Sequence, residues 1–258
     1  MKKLVSIIAM MALVVSMLAL TGCGSSEEGG SEEGGKKFVI ATDTVFAPFE
    51  FTNEDGNFVG IDVDILAAIA EDQGFEYDLQ SLGFDAALAA VESGQADGMI
   101  AGMSITDERK EIYDFSEEYY DSTVCAAVKA DADYASLDDI KGQTVVVKNG
   151  TQSAAWAEEL KDEYQLKLVY KDDSAMMYQE VLSGNAAACF EDFPVMAYGV
   201  SQDNGLKLLV ENKDSFATPY GFAVKKGEDA ELLEKFNAGL KNIKDNGKYQ
   251  EIVDSYTK

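Results

Sequence analysis

The feature that most restricts the fold is a regular switch between two hydrophobic periods. From Lys36 onward, short apolar runs suited to strands alternate with stretches whose apolar residues recur at i, i+3, i+4 and i+7. KFVIATD (37–43) ends in polar residues, and DVDILAAIAEDQGF (62–75) has helical character stopped by Gly74. EYDLQSL follows as a strand. Phe84, Ala87, Leu88 and Val91 then share one helix face before Gly94, and DGMIAG returns to strand. The second part repeats the theme. TVVVK (144–148), KLVY and a run at 186–190 read as strands; TQSAAWAEELKDEY, SAMMYQEVLSG and FPVMAYGVSQ read as helices. Leu232, Phe236, Leu240 and Ile243 form a buried stripe closed by Asn246-Gly247. This alternation predicts an α/β chain with mostly parallel pairing, and about 220 residues suffice for two lobes.

In such sheets ligands lie beyond the carboxyl ends of strands. The loops there are TDTVFAPFEF, GFDAAL, AGMSITDER, KNGTQSAAW and FEDFPVMAY. Between them they present Asp43, Phe46, Phe84, Ser104, Arg109, Lys148, Thr151 and Asp192, a set suited to a zwitterion. Arg109 has two readings. It is a surface helix residue paired with Glu108 or Glu111, or its planar fork receives a carboxylate in two parallel hydrogen bonds. Asn53 to Asn57 (NEDGN) has some calcium-loop flavour but lacks the spacing to a closing glutamate, so a turn is expected.

The N-terminus gives the location. Lys2 and Lys3 precede an apolar stretch from Leu4 to Leu20, and Leu20-Thr21-Gly22-Cys23 follows. This reads as a signal peptide over 1–22 whose end resembles the lipobox of bacterial lipoproteins, with Cys23 the lipidated residue. Residues 23–35, rich in Ser, Glu and Gly, hold too little apolar surface for a core and read as a flexible tether. The chain carries 21 basic and 47 acidic residues, a formal charge of −26, which argues against nucleic acid as a partner. With no histidine, Ser-His catalysis, histidine metal ligation and histidine pH switching are excluded. Cys125 and Cys189 each sit in an apolar run and read as buried free thiols, although an extracytoplasmic location permits a disulfide.

TDTVFAPFEF, VGIDVDILAAIA, AGMSITDERKEIYDFSEEYY, the KNGTQ loop, EDFPV and YGFAVKKG before a C-terminal helix ending in NGKYQEI occur together and in order. From residue 36 onward the chain thereby resembles the type II solute-binding proteins of polar amino-acid ABC importers, the family of glutamine-binding and lysine/arginine/ornithine-binding proteins. The resemblance implies a two-lobed fold, each lobe a mixed sheet flanked by helices. Lobe 1 would comprise 36–118 plus 221–258 and lobe 2 would comprise 124–215, with a two-segment hinge at 119–123 and 216–220.

It also implies roles. Arg109 would clamp the ligand α-carboxylate, with Thr151 and the start of the following helix, including Gln152, assisting. Ser104, with the backbone at Ala101 and Gly102, and Asp192 would take the ammonium, and Phe46 and Phe84 would flank the side chain. Asp43, Glu191 and Lys148 compete for the side-chain end. Two acids favour a cationic ligand, Lys148 opposes one, and Gln152 matches the cationic type better; a neutral polar ligand such as glutamine is the favoured reading. The implied protein is a non-enzymatic, monomeric, lipid-anchored extracytoplasmic receptor, without cofactor or metal, that hands an amino acid to an ABC permease and ATPase. An extracytoplasmic dehydratase, for which Glu191 is the only obvious proton-transfer group, and a sensor domain remain as alternatives.

Overall fold

The structure is a computed structural model that describes residues 36–258; the signal segment, Cys23 and the tether lie outside the described residues. The first sheet contains Phe38–Thr42 (β1), Tyr77–Ser81 (β4), Gly98–Met99 (β5), Tyr113–Phe115 (β6) and Ala223–Lys225 (β12), in the order β4-β1-β5-β12-β6. A small hairpin, Phe51–Thr52 (β2) with Phe58–Val59 (β3), stands apart. The second sheet contains Val124–Lys129 (β7), Thr144–Lys148 (β8), Lys167–Lys171 (β9), Ala188–Asp192 (β10) and Leu206–Asn212 (β11), in the order β11-β7-β10-β8-β9.

Central strands are buried on both faces, which is why β1, β7 and β8 read as unbroken apolar runs. Edge strand β9 buries none of its residues fully and carries Lys167 and Lys171, polar ends that discourage further pairing. Helices cover both faces. Ile61–Gln73 (α1), Ala230–Asp245 (α7) and Lys248–Thr257 (α8) pack Ile65, Leu66, Ile69, Phe236 and Leu240 against Phe38 and Ile40. Phe84–Glu92 (α2) covers the other face with Ala87 and Val91. In the second lobe, Gln152–Tyr164 (α4) sets Trp156 edge-on to Phe190, centroids 5.2 Å apart. Ser174–Leu182 (α5) and Phe193–Ser201 (α6) bury Met177, Val181 and Met196 on the opposite side. Asp107–Lys110 (α3) is a single turn.

Three expectations need correction. Pairing is not mostly parallel: β1 joins β4 and β5 in parallel and β8 joins β9 and β10 in parallel, but β12, β7 and β11 add antiparallel pairs. The antiparallel strands flank the points where the chain changes sheet, so they arrive without a helical crossover. The strand expected at 186–190 runs from Ala188 to Asp192, directly into α6. The α7 stripe closes at Asn246-Gly247 as expected, with Gly247 at φ 84°, so the C-terminal helix ending in NGKYQEI is not continuous, and α8 follows as a separate helix. The NEDGN stretch forms the β2–β3 turn, with Asn53 Oδ1 accepting from the amides of Asp55 and Asn57.

The chain passes between the sheets twice, from β6 to β7 and from β11 to β12. The two passages run as a short antiparallel ribbon: the Tyr220 amide donates to Tyr120 O at 2.7 Å, the Thr218 amide to Ser122 O at 3.0 Å, and the Tyr120 and Tyr220 rings stack.

Candidate functional site

The carboxyl ends of β1, β4 and β5 in one sheet and of β8 and β10 in the other converge on one cleft. Asp43 follows β1, Phe84 opens α2 after β4, Ala101 and Gly102 follow β5, and Lys148 and Asp192 end β8 and β10. Gly102 stands at φ +53°, and a Cβ there would lie 2.4 Å from the Phe46 ring, so glycine is required for close packing of this loop. Phe46 and Phe84 are buried, as are Ala101, Ser104, Lys148, Glu191 and Asp192.

Several side chains bridge the lobes. The Lys148 Nζ donates to Asp43 Oδ2 at 2.8 Å, with both groups buried, and stands 4.1 Å from the Phe46 centroid and 5.7 Å from that of Phe84. Burial alone would lower the Lys148 pKa; Asp43, Glu191 and Glu50 outweigh it and raise it, so the ammonium is retained. Arg109 donates to Ser104 O at 2.7 Å and, from the other arm of its fork, to Gly150 O at 2.9 Å, while Phe84 lies 5.4 Å from its carbon. It forms no ion pair with Glu108 or Glu111, so the surface-helix reading of this arginine does not hold. Burial lowers its pKa and Asp192 opposes that, leaving a guanidinium turned toward the cleft.

Asp192 is held at both oxygens, accepting from Ser153 Oγ at 2.6 Å and Tyr220 Oη at 2.6 Å. Burial raises its pKa; the two hydroxyls, then Lys148 and Arg109, counter it. Glu191 accepts from Ser174 Oγ, Tyr178 Oη and the Asp192 amide, and burial pushes it upward against Lys148. Thr151 acts as the N-cap of α4, accepting from the Ala154 amide at 3.2 Å, while its own hydroxyl donates to Lys148 O. Gln152, half-buried, is the first residue of that helix.

Strand-end spacing thus identified residues that the fold brings together. It missed those that hold them: Ser153, Ser174, Tyr178 and Tyr220, and the carbonyl of Gly150. These sit inside helices, in a crossover and in backbone, where periodicity carries no chemical signal. Cys125 and Cys189 are buried free thiols. Cys125 lies opposite Glu191 in the β7–β10 ladder, and Cys189 opposite Ala127.

Residues 38–258 match the bacterial extracellular solute-binding proteins, family 3. The chain is similar to the arginine-binding extracellular protein ArtP of Bacillus subtilis (strain 168), 36% identical over 235 residues and 91% of each chain. It is similar also to the ABC transporter glutamine-binding protein GlnH of the same organism, 30% identical over 273 residues, covering 100% of this chain and 98% of the other. Among solved structures it resembles an ancestral arginine-binding protein bound to arginine, at TM-score 0.79 and 35% identity, covering 86% of this chain and 98% of that one. With its two-lobed α/β architecture and a match spanning the whole described domain, this chain belongs to family 3 of the bacterial extracellular solute-binding proteins.

Proposed function

We propose that this protein captures a neutral polar amino acid of the glutamine type between its lobes and delivers it to an ABC importer. The observation that carries the ligand class is the buried Lys148–Asp43 pair. A cationic side chain entering between Phe46 and Phe84 needs an acid and a ring face; Lys148 already occupies both. A carboxamide instead suits mixed surroundings, since it accepts from Lys148 and donates to Asp43 or Glu191. The relatives named for arginine and for glutamine frame this choice, and the second reading, a cationic ligand, draws on Glu191 as a further buried acid.

The α-groups follow from the same geometry. Arg109 offers a planar fork to the carboxylate, next to the amide-rich start of α4. Asp192, pre-oriented by Ser153 and Tyr220, takes the ammonium together with Ser104 and the carbonyl of Gly102. Residues 119–123 and 216–220 serve as the hinge between lobe 1 (36–118 with 221–258) and lobe 2 (124–215). Binding energy here shifts the balance between open and closed forms and breaks no bond. Glu191 is engaged as an acceptor by three donors, which suits a fixed anion better than a proton-transfer group. The working protein is a monomer tethered through residues 23–35 to a lipid on Cys23 at the outer face of the cell membrane.

Thermal-shift screening of the purified protein against the twenty amino acids plus ornithine and cystine tests the reading, because a ligand of the native state raises the midpoint. A selective shift with glutamine is expected. A selective shift with arginine or lysine would overturn the ligand class, and no shift with any amino acid would overturn the whole reading.

A further inference from the structure

Beneath the cleft lies a second acidic cluster that takes no direct part in the site described above. Glu50 sits in the loop after β1, where its backbone pairs with that of Phe46. Asp62 is the second residue of α1, entered through Gly60 at φ 144°, where a Cβ would lie 2.0 Å from Phe49 O. Both side chains are fully buried. Asp62 Oδ2 accepts from the Gly102 amide at 2.8 Å and from Tyr119 Oη at 2.8 Å, tying the ligand loop to the first crossover. Its Oδ1 receives no N–H or hydroxyl donor, and neither oxygen of Glu50 receives one. The two carboxyls are within hydrogen-bonding reach of each other.

Other charged and titratable groups face this pair. Asp43 approaches from the loop after β1, Lys148 from β8, Tyr119 from the crossover and Tyr249 from α8. Lys148, the cation among them, donates to Asp43. Two ionised carboxylates in contact, buried and without a donor between them, are strongly unfavourable, whereas one proton gives the orphaned oxygens a hydrogen bond.

We propose that Glu50 is a neutral carboxylic acid that donates its proton to Asp62, and that this proton holds Asp62 as the acceptor for Gly102 and Tyr119, making Glu50 a positioning residue of the amino-acid site. The inference rests on the reading that the loop at Gly102 receives the ligand ammonium. Burial, then Asp62 and Asp43, push the Glu50 carboxyl well above the usual range against Lys148. Burial pushes Asp62 up to about 6, opposed by its bonds from Gly102, Tyr119 and Glu50. A group whose pKa is raised on folding stabilises at pH values below its unfolded value, and that contribution is lost as pH rises through the folded value. Stability and affinity therefore fall together on the alkaline side.

The test is infrared spectroscopy with titration calorimetry. At neutral pH the wild type should show a neutral-carboxyl band that shifts in D2O and is lost in Glu50→Gln. Glu50→Ala should weaken glutamine binding about tenfold or more, and Glu50→Gln, whose amide still donates to Asp62, should restore most of it. The alkaline loss of affinity should be shallower in Glu50→Gln than in the wild type. A band that persists in Glu50→Gln, or a Glu50→Gln variant as weak as Glu50→Ala, would overturn the proposal. A wild type that binds no amino acid would instead refute the amino-acid reading and the positioning role with it, while the infrared band reports on the proton separately.

Discussion

In the cleft the lobes meet through charge, whereas beside the crossovers they meet across a cavity of about 770 Å³ walled by rings. In the first region Lys148 reaches Asp43, Arg109 reaches Gly150 O, and Tyr220 reaches Asp192. The second is lined from both lobes, with Pro48 and Tyr256 on one side, Phe193, Ala197 and Tyr198 on the other, and Tyr120 between. The contrast locates the energy of closure. A buried ion pair roughly breaks even, because removing each ion from water costs several kcal/mol against the mutual attraction gained. Lys148–Asp43 therefore fixes geometry and charge without locking the lobes, and ligand contacts decide the balance. The cavity leaves room for the rotation about the crossover ribbon that the proposed closure requires.

The largest effect should come from removing the fork. Arg109→Ala should stay folded, since Arg109 is half-buried at the cleft, yet lose on the order of a thousandfold in glutamine affinity, because truncating one partner of a desolvated charge pair costs about 2–5 kcal/mol. Unchanged affinity by calorimetry would remove Arg109 from the site. Next, Lys148→Met leaves Asp43 buried without its cation, which should lower stability by about 3 kcal/mol. Arginine should then restore the midpoint better than glutamine does; a variant that keeps glutamine preference would show that Lys148 does not set the ligand charge.

The cavity gives a smaller effect of opposite sign. Ala197→Trp should act as a wedge against opening and tighten glutamine binding roughly tenfold by favouring the closed form. Weaker binding would mean that the cavity narrows on closure. Smallest is Thr151→Ala, which removes the cap of α4 and should cost about 1 kcal/mol of stability. An affinity loss well beyond that figure would place the Thr151 hydroxyl on the ligand as well as on the helix.

The sequence revealed the long apolar elements because burial on two faces writes continuous runs, as in FVIAT and TVVVK, and one-sided burial writes the stripe of α7. It hid β6 and β12, three residues each, which owe their pairing to neighbouring strands and not to local propensity. The cleft residues were legible because polar groups at strand ends stand out against apolar runs. Glu50 and Asp62 were not. Each looks like an ordinary surface acid in PFEF and GIDVD, and only the fold shows that both are buried and in contact, with both oxygens of Glu50 and one of Asp62 lacking a donor. Tyr220 was legible as part of a crossover, but its bond to Asp192 joins positions 28 residues apart that no local pattern connects.

Capture by closure requires the two lobes to approach each other when the ligand binds, and a distance between them reports that approach. Leu82, just after β4, and Met176, in the first turn of α5, are 40% and 49% exposed, while the described native cysteines are buried, so Leu82→Cys/Met176→Cys can carry a fluorescence energy-transfer pair. Titration with glutamine should shorten that distance saturably, and Arg109→Ala should abolish the change. A distance that stays constant while calorimetry records binding would rule out capture by closure.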